Sequence, residues 1–195
     1  MIRLHRPPCP NEQALQNGNY KHPDNKQALR GASADKCMYC ESKVAAVDHA
    51  EIEHIKPKSK YPELTYVWKN LGYVCSRFNN AKGNQYDQNT SLIDPYSEDP
   101  EIHLSTWGKF FIQRQGSERG ELTIATIQLN RPELLEKRLT RIEAIRRAVD
   151  ACYRTKNLSL RKVALESLHR EAEPDQEYSL FVRAFLESVI SEKQS

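Results

Sequence analysis

No stretch of the 195-residue chain is long and apolar enough to cross a membrane, and its opening "MIRLHRPPCP" lacks the apolar run of a secretory signal. The expected compartment is therefore the cytoplasm. An excess of one charge is missing too: 29 Lys and Arg against 26 Asp and Glu leave a formal net charge of +3. So even a balance permits a nucleic-acid partner, but any basic surface must come from local clustering. Disorder does not fit. With 38% hydrophobic residues and a mean hydropathy of −0.75, the chain is polar yet can build a modest core. Repeats and low-complexity tracts are absent. Five cysteines at irregular spacing, with no export signal, do not make a disulfide framework. Metal binding, redox chemistry or an ordinary buried thiol remains for each.

The length suits one domain, or a core with a helical appendage. Residues 1–36, rich in Pro, Asn, Gln and Gly, read as an irregular arm with a short helix near Asn11 to Leu15. Residues 37–106 hold the motifs, and 107–195 a β-hairpin and helices. "WGKFFIQRQ" and "ELTIATIQL" are β-branched or aromatic runs around the glycine-bounded "GSERG", which predicts a hairpin with a five-residue loop. "NRPELLEKRLTRIEAIRRAVDACYR" predicts a helix with Asn130 as N-cap, Glu133 completing a capping box, and Leu135, Leu139, Ile142, Val149 and Cys152 facing inward. Lys137, Arg138, Arg141, Arg146 and Arg147 then form the other face, as a solvated surface or one that tracks phosphates. Two more helices are expected near 159–171 and 176–190, the last with Phe181, Val182, Phe185, Leu186 and Val189 as its apolar stripe.

The chemistry lies between. In "CMYC", Cys37 and Cys40 have the C-x2-C spacing that directs two thiolates at one zinc ion. Cys75 supplies a third sulfur, but Phe78 stands where a closing cysteine would be. A zinc ion would then need Cys9, His49, Cys152 or a water as its fourth ligand. The alternative is a metal-free knuckle of buried thiols. "EIEHIKP" alternates like a strand ending at Pro57, so Glu53 and His54 point to opposite faces unless the strand bends.

The order C-x2-C, E-H-I-x-P, N-L, C-x3-N-x2-K-G resembles the HNH endonucleases, whose ββα-metal unit is inserted between the halves of a zinc knuckle. The resemblance implies an α+β fold: a ββα-metal nuclease core in a mainly helical domain, with a β-hairpin and C-terminal helices. It places His54 as general base, Asn70 of "KNL" as the residue tying the loop between strands, and Glu53 and Asn79 as ligands of a catalytic Mg²⁺ or other divalent ion. Asn80 replaces Asn79 if the register slips. Lys56, Lys58, Arg77 and Lys82 are candidate phosphate contacts. "CMYCE", "IEHIKPKSKYPELTYVWKNL", "LIDPYSEDPEIHL" and "LNRPELLEKR" together are similar to the HNH nuclease subunit of Septu antiphage defence systems and its retron-associated relatives. That likeness implies a toxic, metal-dependent nuclease controlled by a companion ATPase, and in retron loci by a reverse transcriptase with its RNA–DNA. Such a site grips phosphates more than bases, so DNA and tRNA both fit it as substrates. The second functional reading is a non-catalytic module that binds nucleic acid or a partner through the degenerate knuckle.

Overall fold

The computed structural model describes residues 1–44, 50–82 and 91–192. The arm is more ordered than expected. Helix α1 (Glu12–Gln16) begins where the Asn11 side chain accepts the Ala14 N–H at 2.9 Å. Helix α2 (Pro23–Ala32) is hidden in the polar "HPDNKQALRGA"; the His22 ring accepts the Asp24 N–H, Pro23 opens the first turn and Arg30 sits in the last. Buried Asn25 pins the two helices together, its Oδ1 accepting from Asn11 N and its Nδ2 donating to Asn11 O, both at 3.0 Å. These tertiary bonds satisfy the polar residues that disguise the helix.

Strands β1 (Ala50–His54) and β2 (Leu71–Cys75) pair antiparallel, with Glu53 opposite Gly72 and His54 opposite Leu71. Helix α3 (Ser76–Lys82) follows at once, completing a ββα unit. All five β2 residues are buried because the Cys37–Cys40 turn lies on the strand, Met38 N–H donating to Tyr73 O at 3.0 Å. Gly72 makes room for it: a Cβ there would stand 2.3 Å from the Met38 sulfur.

The expected five-residue hairpin loop is overturned. Strands β3 (Leu104–Trp107) and β4 (Phe110–Gln113) both come from the first run, joined by a two-residue turn with Gly108 at φ 54°. "ELTIATIQL" belongs instead to helix α4 (Glu118–Thr126) and its C-terminal end. The Ser117 side chain accepts the Gly120 N–H at 3.0 Å, so "GSERG" is a helix start. Ile127 and Leu129 then enter the core after the helix. The alternation suited a strand, and a cap plus tertiary contacts outweighed it.

Arg119 closes this corner with a two-pronged grip on Glu98, whose Oε2 also accepts from His103 Nε2 at 3.2 Å. Ser117 Oγ donates to His103 Nδ1 at 2.9 Å. The line of serine, histidine and carboxylate resembles a hydrolase triad in outline only. Arg119 occupies the carboxylate and Ser117 caps α4, so the group clamps hairpin to helix.

Helix α5 (Pro132–Arg154) has Arg131, not Asn130, at its N-cap and no capping side chain. Asn130 is engaged elsewhere, exchanging bonds with Phe111 N at 2.9 Å and Phe111 O at 2.8 Å, which removes it from the expected capping box. The buried stripe is Leu134, Arg138, Ile145, Val149 and Cys152. Leu139 is exposed. Arg138 is therefore no surface cation. Its guanidinium lies between the rings of Phe111 (4.6 Å) and Phe181 (4.5 Å) and donates to Lys109 O and Asn130 Oδ1 at 3.3 Å. Burial lowers its pKa to about 10.

Helices α6 (Leu158–His169) and α7 (Ser179–Glu192) fall near their expected places. Val182 and Leu186 of α7 pack with Ile145 and Val149 in a small second cluster, while Phe181 joins the main core. That main core draws on residues from Met1 to Phe181. No described helix is long and apolar enough to cross a membrane.

A Cβ at Gly120 would meet the His103 carbonyl oxygen at 2.4 Å, a backbone atom that cannot swing aside. Gly120→Ala should therefore destabilise the protein by about 1–3 kcal/mol in urea denaturation. Burial alone would raise the Glu98 pKa, but the hydrogen bond and charge of Arg119 outweigh it and hold the carboxyl below 4.5. A depressed carboxylate stabilises the fold above its unfolded pKa, and that contribution is lost as pH falls through the folded value. Thermal melts between pH 6 and pH 3 should show Glu98→Gln losing less stability on acidification than the wild type.

Candidate active site

The active-site residues gather around the loop between β1 and β2. Asn70 closes that loop. Its Oδ1 accepts Lys56 N–H at 2.8 Å, and its Nδ2 donates to Lys56 O at 3.0 Å and Leu64 O at 3.1 Å. Ile55 N–H adds a bond to Asn70 O at 2.9 Å, extending the β ladder one residue past His54. One buried amide side chain thus fixes both ends of a turn that local propensity leaves free.

The loop in turn orients His54. Its Nε2 lies 3.0 Å from Thr65 O. A carbonyl oxygen only accepts, so Nε2 carries the proton and Nδ1 is the basic nitrogen. The Tyr20 ring meets the imidazole edge-on at 4.6 Å. Burial lowers the His54 pKa from its ordinary 6.5, the Thr65 carbonyl opposes this, and Lys58, Lys82 and Lys21 add to the lowering. The net lowering favours the neutral ring. Tyr20 and Lys21 have no signal in motif spacing, because the arm brings them in from more than 30 residues upstream.

Lys82 departs from expectation. It does not face solvent phosphate; it is enclosed, its ammonium donating to Glu53 Oε1 and to the His54 carbonyl. A lysine at the end of a short helix reads as surface, but α3 packs across β1 and carries Lys82 beneath it. Burial raises the Glu53 pKa, and the charge and hydrogen bond of Lys82 offset part of that rise. Glu53 and His54 do alternate along β1, and Lys82 bridges the acid's side chain to the base's backbone.

Lys56 sits with its ammonium 5.4 Å over the Tyr61 ring, and exposed Lys58 lies 5.7 Å over Tyr20, the ring that meets His54. Lys21 flanks the same ring at 5.7 Å. Arg77 is elsewhere, paired with Glu133 at 2.9 Å beside the cysteines. Asn79 belongs to α3, but its side chain is outside the described residues, as is His49. Asn80 is exposed. For a hard divalent ion the described donor is the Glu53 carboxylate, and one carboxylate completed by phosphate and water oxygens is a common Mg²⁺ arrangement. The residues fit such an ion provided Glu53 is shared with Lys82.

The cysteines form a separate group. The sulfurs of Cys37, Cys40 and Cys75 lie within 4.8 Å of one another, all buried, and could hold a metal ion. Cys9 donates instead to Asn25 Oδ1 at 3.7 Å, and Cys152 lies on α5.

The sequence matches the HNH endonuclease family over residues 37–85, the span of the cysteine turn, both strands and α3. It is 31% identical to the Septu protein PtuB of Bacillus thuringiensis, across 95% of this chain and 82% of that protein. The chain belongs to the Septu PtuB family of HNH endonucleases. A Septu protein PtuB of Bacillus mycoides (strain KBAB4) is 30% identical over 61% of this chain and 51% of its own length. A Vibrio cholerae protein described as the candidate HNH endonuclease of retron Vc95 is 30% identical over 62% of this chain and 64% of its own. The span that matches the HNH family contains the ββα unit, and the Asn70 loop and the Lys82 bridge both lie within it.

Removing Lys82 would strand a buried carboxylate. Lys82→Met should cost about 3–5 kcal/mol in denaturant unfolding. Adding Glu53→Gln should restore part of that loss, a coupling that a double-mutant cycle measures directly.

Proposed function

We propose that this enzyme is a metal-dependent nuclease that hydrolyses phosphodiester bonds in DNA or tRNA, as the toxic effector of a Septu- or retron-type antiphage complex. The observation that carries this reading is the fixed tautomer of His54: the Asn70 loop presents Thr65 O to Nε2 and leaves Nδ1 to take a proton. A water aligned with the scissile phosphorus loses its proton to Nδ1 as its oxygen forms the new P–O bond. The bond to the leaving oxygen breaks, that oxygen takes a proton from solvent, and His54 later releases its own. Lys58 and Lys21, both beside the Tyr20 ring that meets His54, hold the phosphate strand by charge.

Mg²⁺ or another hard divalent ion would be held by Glu53, with Asn79 as the second ligand that the HNH resemblance implies, and would supply charge neutralisation at the phosphate and the leaving oxygen. Lys82 keeps Glu53 charge-balanced in the resting protein and positions the backbone of His54. The defence role comes from the relatives' names, a Septu protein and a retron nuclease, and it implies a companion ATPase and, in a retron setting, a reverse transcriptase with its RNA–DNA.

The test is cleavage of duplex DNA, single-stranded DNA and tRNA by the chain reconstituted with its ATPase, with and without divalent ions. His54→Ala should slow cleavage by about 10²–10⁴-fold while leaving the circular-dichroism spectrum unchanged. Equal rates for variant and wild type would remove His54 from the role of base. Intact substrates under every divalent ion, with binding retained, would leave a non-catalytic binding module.

A further inference from the structure

We infer that Cys37, Cys40 and Cys75 bind one zinc ion through three sulfurs and leave its fourth coordination position open to the neighbouring cavity, where an exchangeable water completes it and a small anionic ligand can displace that water. The knuckle backbone is intact despite the missing cysteine. The Cys37, Cys40 and Cys75 sulfurs lie within 4.8 Å of one another, close enough to share one ion. Glu41 adopts φ 63° directly after Cys40, and that turn allows the chain to fold back so that Cys37 N donates to Ser42 O at 2.9 Å. A left-handed non-glycine residue is maintained here by its buried carboxylate, which accepts from Ser179 Oγ at 2.8 Å.

No described histidine, cysteine or carboxylate joins the three sulfurs as a fourth ligand. Phe78, at the closing position, offers no ligand atom. Its ring is buried 6.2 Å from that of Tyr39, with the Arg131 guanidinium 4.4 Å above it. Cys40 and Cys75 instead form part of the wall of a cavity of about 330 Å³. Lys43, Arg77, Arg131 and Lys137 share that wall with, among the described residues, a single carboxylate, Glu133, which Arg77 already binds. Three thiolates and Zn²⁺ carry a net charge of −1, so these cations suit the site and favour an anionic fourth ligand. A closed structural zinc has four protein ligands; one with three keeps an exchangeable position. Exchange is ligand substitution alone: water departs, the incoming sulfur or oxygen donates its electron pair to zinc, and an incoming thiol gives its proton to solvent.

The inference is independent of nuclease activity, and its readout is spectroscopic. The full-length chain is loaded with Co²⁺ in place of zinc and titrated with 2-mercaptoethanol, following the thiolate-to-cobalt charge-transfer band, which an ion bound at Glu53 does not produce. The expected result is one thiolate-bound metal per chain, with four-coordinate d–d bands that shift as the added thiol replaces water. Phe78→Cys should supply the fourth sulfur, give the four-thiolate spectrum and abolish the response. Glu133→Gln should leave the wild-type spectrum unchanged. A wild-type chain that takes up no metal, or whose bands ignore the added thiol, would overturn the inference. So would a folded Phe78→Cys chain that still responds, or an altered spectrum in Glu133→Gln.

Discussion

A single ammonium group organises the nuclease unit. Lys82 reaches from the end of α3 to the carboxylate of Glu53 and the backbone of His54, so helix and strand share one buried charge pair. Such a pair adds little net stability over apolar packing, because desolvating both ions costs about what their attraction returns. Its value lies in position. An ammonium left alone in that space is unfavourable, so α3 has one register on β1 in which its last turn is satisfied. Glu53 and His54 consequently hold a fixed relation that the strand's alternation alone would not give them.

The parts of the site legible in the sequence were those whose partners lie close along the chain. Asn70 could be read as the loop's tie through the resemblance of "KNL" to the HNH pattern. The cysteine turn could be read from its spacing. Lys82 could not, since a helix-ending lysine is ordinarily solvated and only the packing of α3 on β1 encloses it. Tyr20 and Lys21 were invisible for a related reason: the arm delivers them through the Asn25 contacts, which carry no periodic signal.

The fold showed the same division. Helix α7 followed from an apolar stripe at helical spacing. The hairpin did not, because "ELTIATIQL" alternates like a strand while its upstream serine caps a helix. In α5 the stripe was legible but its register was off by one residue at the start, since an arginine occupied a core position. Arg138 is tolerated there because two aromatic faces and two oxygen acceptors replace its water.

Lys36 has a consequence for how the molecule is made. Its buried ammonium is satisfied by the carbonyls of Pro174 and Gln176, across sequence separations of 138 and 140 residues. Ser42, in the cysteine turn, meets Tyr178 at 2.6 Å over a similar span. A growing chain therefore carries the whole ββα unit long before the groups that seal it have been synthesised. Contacts of that range form late, because the intervening loop must first be closed. During synthesis a cell would hold this enzyme with its cysteine turn unsealed, and the segment leading into α7 acts as the last fastening.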